Sequence, residues 1–137
     1  MKPASLLALS LCTLLSGCEA FMVIPIAAGC ILRPGLDLYP SQLPPAVVGQ
    51  PYQVQVGVEK LSLLSGLRAG TEDQPLPEGL EFVYVDREAH GVIQGEPTRS
   101  GTYEIRVEAS GMGTQCSGQQ VEQTYTLQVM ERAEASR

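Results

Sequence analysis

Three stretches of the chain alternate apolar and polar residues with a period of two. In residues 52–58 the apolar positions are Tyr52, Val54, Val56 and Val58, and the same alternation runs through residues 102–109 and 124–129. Successive side chains of a strand point to opposite faces, so each stretch predicts a strand with one face in a core. Such half-buried strands are typical of antiparallel sheets. Shorter predicted strands cover residues 36–39, 80–85 and 91–94.

Proline and glycine mark the turns between these predicted strands, at residues 43–45, 48–51, 95–97, 100–101 and 111–118. Several short strands separated by such turns predict an all-β fold, a single antiparallel β-sandwich over residues 36–130. After residue 18 the sequence offers no convincing amphipathic helix, with residues 60–67 as the one candidate. Residues 131–137 form a charged tail.

The N-terminal residues 1–17 have a different pattern, with Lys2 near the start and a leucine-rich apolar run after it. The run is too short to span a bilayer, and Glu19 interrupts any longer span. This pattern predicts a signal peptide. An ordinary secretory signal and an uncleaved membrane helix are the two alternatives.

The end of the leucine run, Leu15-Ser16-Gly17-Cys18, resembles the lipobox of bacterial lipoproteins. The resemblance implies that Cys18 becomes the first mature residue and carries diacylglycerol and an amide-linked fatty acid such as palmitate. Several acyl chains would then anchor the protein to the membrane. Glu19, rather than aspartate, follows the cysteine, which in such lipoproteins favours the outer membrane of the bacterial cell envelope.

Residues 18–35 are predicted to form the lipidated N-terminus and an apolar tether, whose most apolar part is residues 21–28. This segment either lies on the bilayer surface beside its own lipid or packs on the domain through Cys30. We expect the second arrangement, since a disulfide at Cys30 would hold it there.

Two cysteines remain after Cys12 leaves with the signal and Cys18 takes the lipid. Cys30 and Cys116 would lie in an oxidising compartment, where a disulfide is the expected state. Metal binding is the competing interpretation, and two distant cysteines with one histidine make a poor site.

The middle of the chain resembles the immunoglobulin-like domain of bacterial surface proteins, which is related to the cadherin-like domains of dystroglycan type. The shared pattern is Leu-Pro-x-Gly-Leu at residues 76–80, Gly-x-Ile-x-Gly-x-Pro at residues 91–97, and Gly-Thr-Tyr at residues 101–103. The resemblance covers roughly residues 36–130 and implies an immunoglobulin-like sandwich, although no family-type third strand is recognisable between Lys60 and Gln74. The structural residues that it implies are Leu76, Pro77, Gly79, Leu80, Gly91, Ile93, Gly95, Pro97, Gly101 and Tyr103.

The composition excludes several classes of function. The 137 residues include nine basic and fifteen acidic side chains, for a net charge of −6, and loss of Lys2 with the signal makes this more negative. Without a basic patch, nucleic-acid binding lacks its electrostatic basis. The chain has a single histidine, His90, and 5% aromatic residues. A paired-histidine site is therefore excluded.

The remaining candidate chemistry is weak. Asp86-Arg87-Glu88 is similar to a calcium-binding tripeptide of cadherins, but a calcium ion needs six or more oxygens and no further acidic motif accompanies it. We therefore predict no catalytic residue, no metal and no cofactor.

The predicted function is a non-enzymatic, membrane-anchored lipoprotein that serves as a binding or adhesion module at the cell envelope. The alternative is a structural accessory subunit of an envelope secretion or surface-fibre assembly, with an envelope protein as its partner. The sequence does not specify an oligomeric state.

Overall fold

The computed structural model describes residues 17–60, 63–113 and 116–133. It divides into two units, Met1–Pro34 and Gly35–Arg137. The predicted signal peptide, apart from Gly17, lies outside the described residues, and so does the end of the charged tail, residues 134–137.

In the first unit, the tether is a helix, α1, Gly17–Ile31, with Pro25 inside it. Hydrophobic periodicity predicts amphipathic helices and so did not predict this one. Apart from Glu19 the sequence of this segment has no charged residue, so it gives no polar face with a period of 3.6 residues. A helix nevertheless suits an apolar segment, because it satisfies the backbone N–H and C=O groups within the segment itself.

In the second unit, the described residues form eight strands in two four-stranded sheets. The first sheet has the order β1-β3-β6-β5, and the second has the order β2-β8-β7-β4. The strands are β1 Leu38–Tyr39, β2 Ala46–Val47, β3 Tyr52–Val58, β4 Leu64–Ala69, β5 Leu80–Tyr84, β6 His90–Gly95, β7 Gly101–Gly111 and β8 Gln120–Met130.

Apart from β2, these sheets have the strand order of an immunoglobulin-like sandwich, with strands A-B-E-D in one sheet and C-F-G in the other. The predicted β-rich fold with two sheets is thus confirmed. One detail differs from the prediction of a purely antiparallel fold, because β2 runs parallel to β8. The chain passes from the first sheet to the second between β1 and β2, and its next residues follow the end of β8 in the same direction.

The core lies between the two sheets and takes alternate residues from each long strand. In β7 the buried side chains are Ile105, Val107 and Ala109, and in β8 they are Tyr125, Leu127 and Val129. The first sheet contributes a matching set to the same cluster, including Tyr52, Val56, Val58, Leu80 and Ile93. The period-two prediction is therefore confirmed for both long strands of the second sheet.

The expected helix at residues 60–67 is wrong where the chain is described, because Leu64–Ala69 forms strand β4 against β7. The register shifts between Leu64 and Gly66, which indicates a β-bulge. A bulge adds one residue to one strand, so Leu64 and Leu67 both face the core although three positions separate them. Apolar residues three positions apart are also typical of one face of a helix, which is why the sequence indicated a helix here.

The motif of the resemblance forms a tight crossing between the start of β5 and the end of β6. The Glu96 N–H donates to the Gly79 carbonyl at 3.0 Å, and the Thr98 N–H donates to the Glu78 carbonyl at 3.0 Å. Gly79 has φ 95° and Gly95 has φ 133°, and residues other than glycine rarely adopt such backbone angles. A Cβ on Gly95 would overlap the Gly79 carbonyl oxygen.

The other motif residues fill the core or end its strands. Ile93 and Pro97 are fully buried, and Leu76 packs against the core cluster. A Cβ on Gly91 would overlap the ring of Phe82. Gly101 begins β7, and the Tyr103 hydroxyl donates to the Arg99 carbonyl at 3.2 Å, which resembles the tyrosine corner of immunoglobulin-like strands F. Pro77 accepts from the Leu80 N–H at 3.0 Å.

Gly95→Ala should destabilise the sandwich strongly, by about 2–4 kcal/mol, because the new methyl meets a backbone oxygen and the backbone conformation is strained. Gly66→Ala is the matched control, since a Cβ there has nothing within 4 Å and no positive φ. Urea unfolding followed by circular dichroism measures both variants. Equal stability of the two variants would contradict the crossing geometry.

Tyr52 should make the fold sensitive to alkaline pH. Burial raises the pKa of Tyr52 from 10.0 to about 12, while its hydroxyl donates to the Pro44 carbonyl at 3.0 Å. The unfolded chain releases this proton near pH 10 and the folded chain near pH 12. The stabilisation is therefore complete below pH 10 and lost as the pH rises through 12, a fall on the order of 2 kcal/mol in the free energy of unfolding.

The measurement is urea unfolding of the parent and of Tyr52→Phe, below pH 10 and near pH 12. Tyr52→Phe should be less stable by about 1 kcal/mol below pH 10, because the hydrogen bond is lost, and should show a smaller alkaline decline. Burial also raises the pKa of Tyr125, so some decline persists in this variant. An unchanged decline in Tyr52→Phe would show that Tyr52 does not cause it.

Candidate functional site: the anchor helix, the disulfide and the sandwich surface

Cys18, the predicted lipidation site, lies within α1. Leu15 and Ser16 of the lipobox fall outside the described residues. The structure therefore places Cys18 in the first turn of a helix. The attachment of a lipid to Cys18 stays a prediction.

The described part of α1 and the residues after it expose apolar side chains. Ile24 is 70% exposed, Ile31 is 82% exposed and Leu32 is 81% exposed. The expectation that the tether packs on the domain stays a prediction. Within the described residues, no helix combines the length and apolar character that a membrane span requires.

Cys30 and Cys116 form a disulfide, as the sequence predicts. Cys30 lies near the end of α1, and Cys116 lies in the connection between β7 and β8. The base of that connection is closed by the Gly111 N–H, which donates to the Gln119 carbonyl at 2.8 Å. The bond closes a loop of roughly 90 residues, for which chain entropy predicts about 4–5 kcal/mol.

The Asp86-Arg87-Glu88 tripeptide forms the turn between β5 and β6. The Glu88 N–H donates to the Val85 carbonyl at 3.1 Å, and the Tyr84 hydroxyl donates to the Glu88 carbonyl at 3.2 Å. The Glu88 carboxylate lies 3.4 Å from His90 Nε2, and both side chains are partly exposed. These bonds make the tripeptide a hairpin turn. Among the described residues, no three His, Cys, Asp or Glu side chains cluster as metal ligands would.

A shallow groove of about 460 Å³ runs beside β8, between this strand and the 41–45 segment. Its walls carry polar groups of Thr124, Thr126 and Gln128 together with Leu43 and Tyr125. The Tyr125 hydroxyl is buried and has no hydrogen-bond partner, and its burial raises the pKa of Tyr125. The groove could form hydrogen bonds and apolar contacts with a ligand. None of the described residues that line it is charged.

Sequence reasoning missed the apolar outer surface of β5. Val83 is 42% exposed and Val85, directly after the strand, is 62% exposed. The sequence does indicate this surface, because residues 82–85 are apolar without interruption and so depart from strict alternation. A strand with one solvent face has a polar residue at every second position.

Cys116→Ser should lower the free energy of unfolding by about 2–5 kcal/mol, because the unfolded chain regains the freedom that the disulfide removes. Dithiothreitol added to the parent should have the same effect, and Cys30→Ser combined with Cys116→Ser should add little to either. Urea unfolding supplies the values. Mobility on gels with and without reductant confirms the bond, and a parent whose unfolding midpoint ignores the reductant would disprove its contribution.

Comparison with known proteins gives little further information. No protein family and no curated protein matches the chain. Among solved structures, the crystal structure of the titin M3 domain aligns with a TM-score of 0.44 and 20% sequence identity, over 71% of this chain and 99% of that domain. The fold assignment therefore depends on the order of the strands in the two sheets and on the core between these sheets.

Proposed function

We propose that the chain is a bacterial lipoprotein of the cell envelope, anchored through acyl chains on Cys18, in which a non-enzymatic immunoglobulin-like sandwich serves as a binding or adhesion module. The observation that carries the proposal is the exposed apolar surface of α1 directly after the lipobox-like sequence.

The exposed side chains of α1 need an apolar environment. Burying a side chain the size of isoleucine is favourable by about 1.5–3 kcal/mol, so Ile24 and Ile31 together favour transfer out of water by several kcal/mol. Acyl chains on Cys18 would place the membrane surface at the start of the same helix. The lipid and the helix then act as two membrane signals in one segment, and two signals are what stable anchoring requires.

The disulfide supports the proposal that one unit anchors the chain and the other binds a partner. Cys30 belongs to the unit that would hold the lipid, and Cys116 belongs to the sandwich. A force on a bound partner would pass to the anchor through this bond as well as through the main chain. This arrangement suits a protein that holds something at a membrane.

The surface chemistry of the sandwich supports binding rather than catalysis. The pKa values that clearly depart from their ordinary range among the described groups are those of Tyr52, Tyr84 and Tyr125, and burial raises each of them. His90 pairs with Glu88 in an exposed turn rather than in a cleft. A binding role would use the groove beside β8, the connecting loops or a strand edge.

The accessory-subunit alternative shares the anchor and differs in its partner. In that role a second envelope protein would cover the apolar surface of α1, whereas in the proposed role the membrane covers it. Glu19 after Cys18 favours the outer membrane in both roles, because aspartate at this position is the usual signal for retention in the inner membrane.

Cys18→Ala should abolish incorporation of an alkyne-bearing palmitate supplied to growing bacteria, because the thioether and the new N-terminus both depend on this residue. The label is detected by click chemistry after immunoprecipitation of the full-length chain. Cys12→Ala is the matched control, since it changes a cysteine inside the same segment, six residues earlier, and should leave labelling unchanged.

Equal labelling of the parent and Cys18→Ala would refute the lipoprotein proposal. Loss of labelling in both variants would show a general defect of the signal segment, so immunoblotting of the processed and unprocessed forms accompanies the experiment. A mature mass that includes the diacylglycerol and acyl chains gives an independent measurement of the same modification.

A further inference from the structure

The two sheets end in four edge strands, and three of them carry features that hinder pairing with another chain. β1 and β2 are two residues each, and β4 contains a bulge. Short edges and bulges are common protections against edge-to-edge association. β5, Leu80–Tyr84, has neither of these features and contains no proline or lysine.

The backbone of β5 offers a free row of hydrogen-bonding groups. The Gly79 carbonyl accepts from the Glu96 N–H, which fixes the alternation, so that Glu81 and Val83 face β6. Phe82 and Tyr84 therefore direct their N–H and C=O groups away from the sheet. In the described part of the chain, no backbone hydrogen bond reaches these four groups.

Both faces of this edge carry apolar side chains, and Glu81 is the one charged residue of β5. On the outer face, the half-exposed Val83 lies opposite Val92 of β6. On the inner face, the rings of Phe82 and Tyr84 stack with centroids 6.4 Å apart and planes 6° from parallel. A strand with apolar side chains on both faces and unpaired backbone groups along one side is suited to become an interior strand.

We propose that β5 pairs antiparallel with β5 of a second copy of this chain, about a two-fold axis that passes through Val83. In this register Val83 lies opposite Val83 of the second copy, and Phe82 lies opposite Tyr84 of the second copy. The outward groups of Phe82 and Tyr84 then form four backbone hydrogen bonds, and the two first sheets become one sheet of eight strands.

The charges and the free donors select this register. Glu81 lies opposite Val85 of the second copy, and four residue steps of about 3.3 Å each hold the two Glu81 side chains about 13 Å apart. A shift that centres the axis on Phe82 would halve this separation. It would also need the Leu80 N–H, which already donates to the Pro77 carbonyl.

The same register explains why the occupant is a second copy. The valine row on the outer face, Val92 and Val83, continues into Val83 and Val92 of the second copy without an unpaired charge. Such an isologous contact matches a surface to itself, as closed symmetric dimers require. The inference uses β5 and β6 alone and does not depend on the lipid anchor.

The test is oxidative cross-linking of purified full-length protein that carries Val83→Cys. Non-hydrogen-bonded antiparallel pairs bring Cα atoms to about 4.5 Å, within the range of a disulfide. Mild oxidation with copper phenanthroline should give a covalent dimer that reductant reverses. Val85→Cys is the matched control on the same face, and although it is more exposed it should stay monomeric by itself.

A mixture of Glu81→Cys and Val85→Cys chains should cross-link at least tenfold more than either variant alone, because only the mixed pair aligns. The parent, which keeps its natural cysteines, gives the background. Similar dimer yields for Val83→Cys and Val85→Cys would indicate random collision and overturn the proposal, and so would the absence of a Val83→Cys dimer. Circular dichroism of each variant confirms that it is folded.

Discussion

The pairing of β7 with β8 is the interaction on which the rest of the sandwich depends. The two strands match residue by residue from Gly101 opposite Val129 to Ser110 opposite Gln120. Their inward side chains form the centre of the core, where Ile105, Val107 and Leu127 are fully buried. β4 adds to the free side of β7, and β2 adds to the end of β8. Without this long hairpin, the second sheet would lose both of its edge strands.

The hairpin also positions the chemistry that lies at its ends. Its closed end holds Cys116. Its open end is linked through Val48 and Gly49 to Pro97, because the Val48 N–H donates to the Met130 carbonyl and the Gly49 N–H donates to the Pro97 carbonyl. The disulfide and the glycine crossing are thus fixed by one backbone ladder. Two proposed functions of the molecule, attachment at one unit and display by the other, depend on the same structural element.

The sequence predicted what local patterns encode. Alternation located β3, β7 and β8, and the glycine–proline motif located the crossing near Gly79. Prediction from the sequence failed where a strand depends on a contact with a distant part of the chain, or where the hydrophobic pattern fits both a helix and a strand. α1 lacks the periodic polar positions of an amphipathic helix. In β4 the bulge between Leu64 and Gly66 disrupts the alternation that would have identified a strand. The two-residue β2 is a strand because it pairs with the end of β8. The apolar edge of β5 became apparent only when the sheet order left it unpaired.

The Cys30–Cys116 bond gives the molecule tolerance to proteolytic nicking. The segment after α1 has the exposed Leu32. A protease that cuts the main chain there would separate α1 from the sandwich if the peptide backbone were their single link. Because the disulfide spans the cut, both fragments stay together until a reductant acts. Separation of the two fragments would then require two different chemical events, hydrolysis of a peptide bond and reduction of a sulfur–sulfur bond.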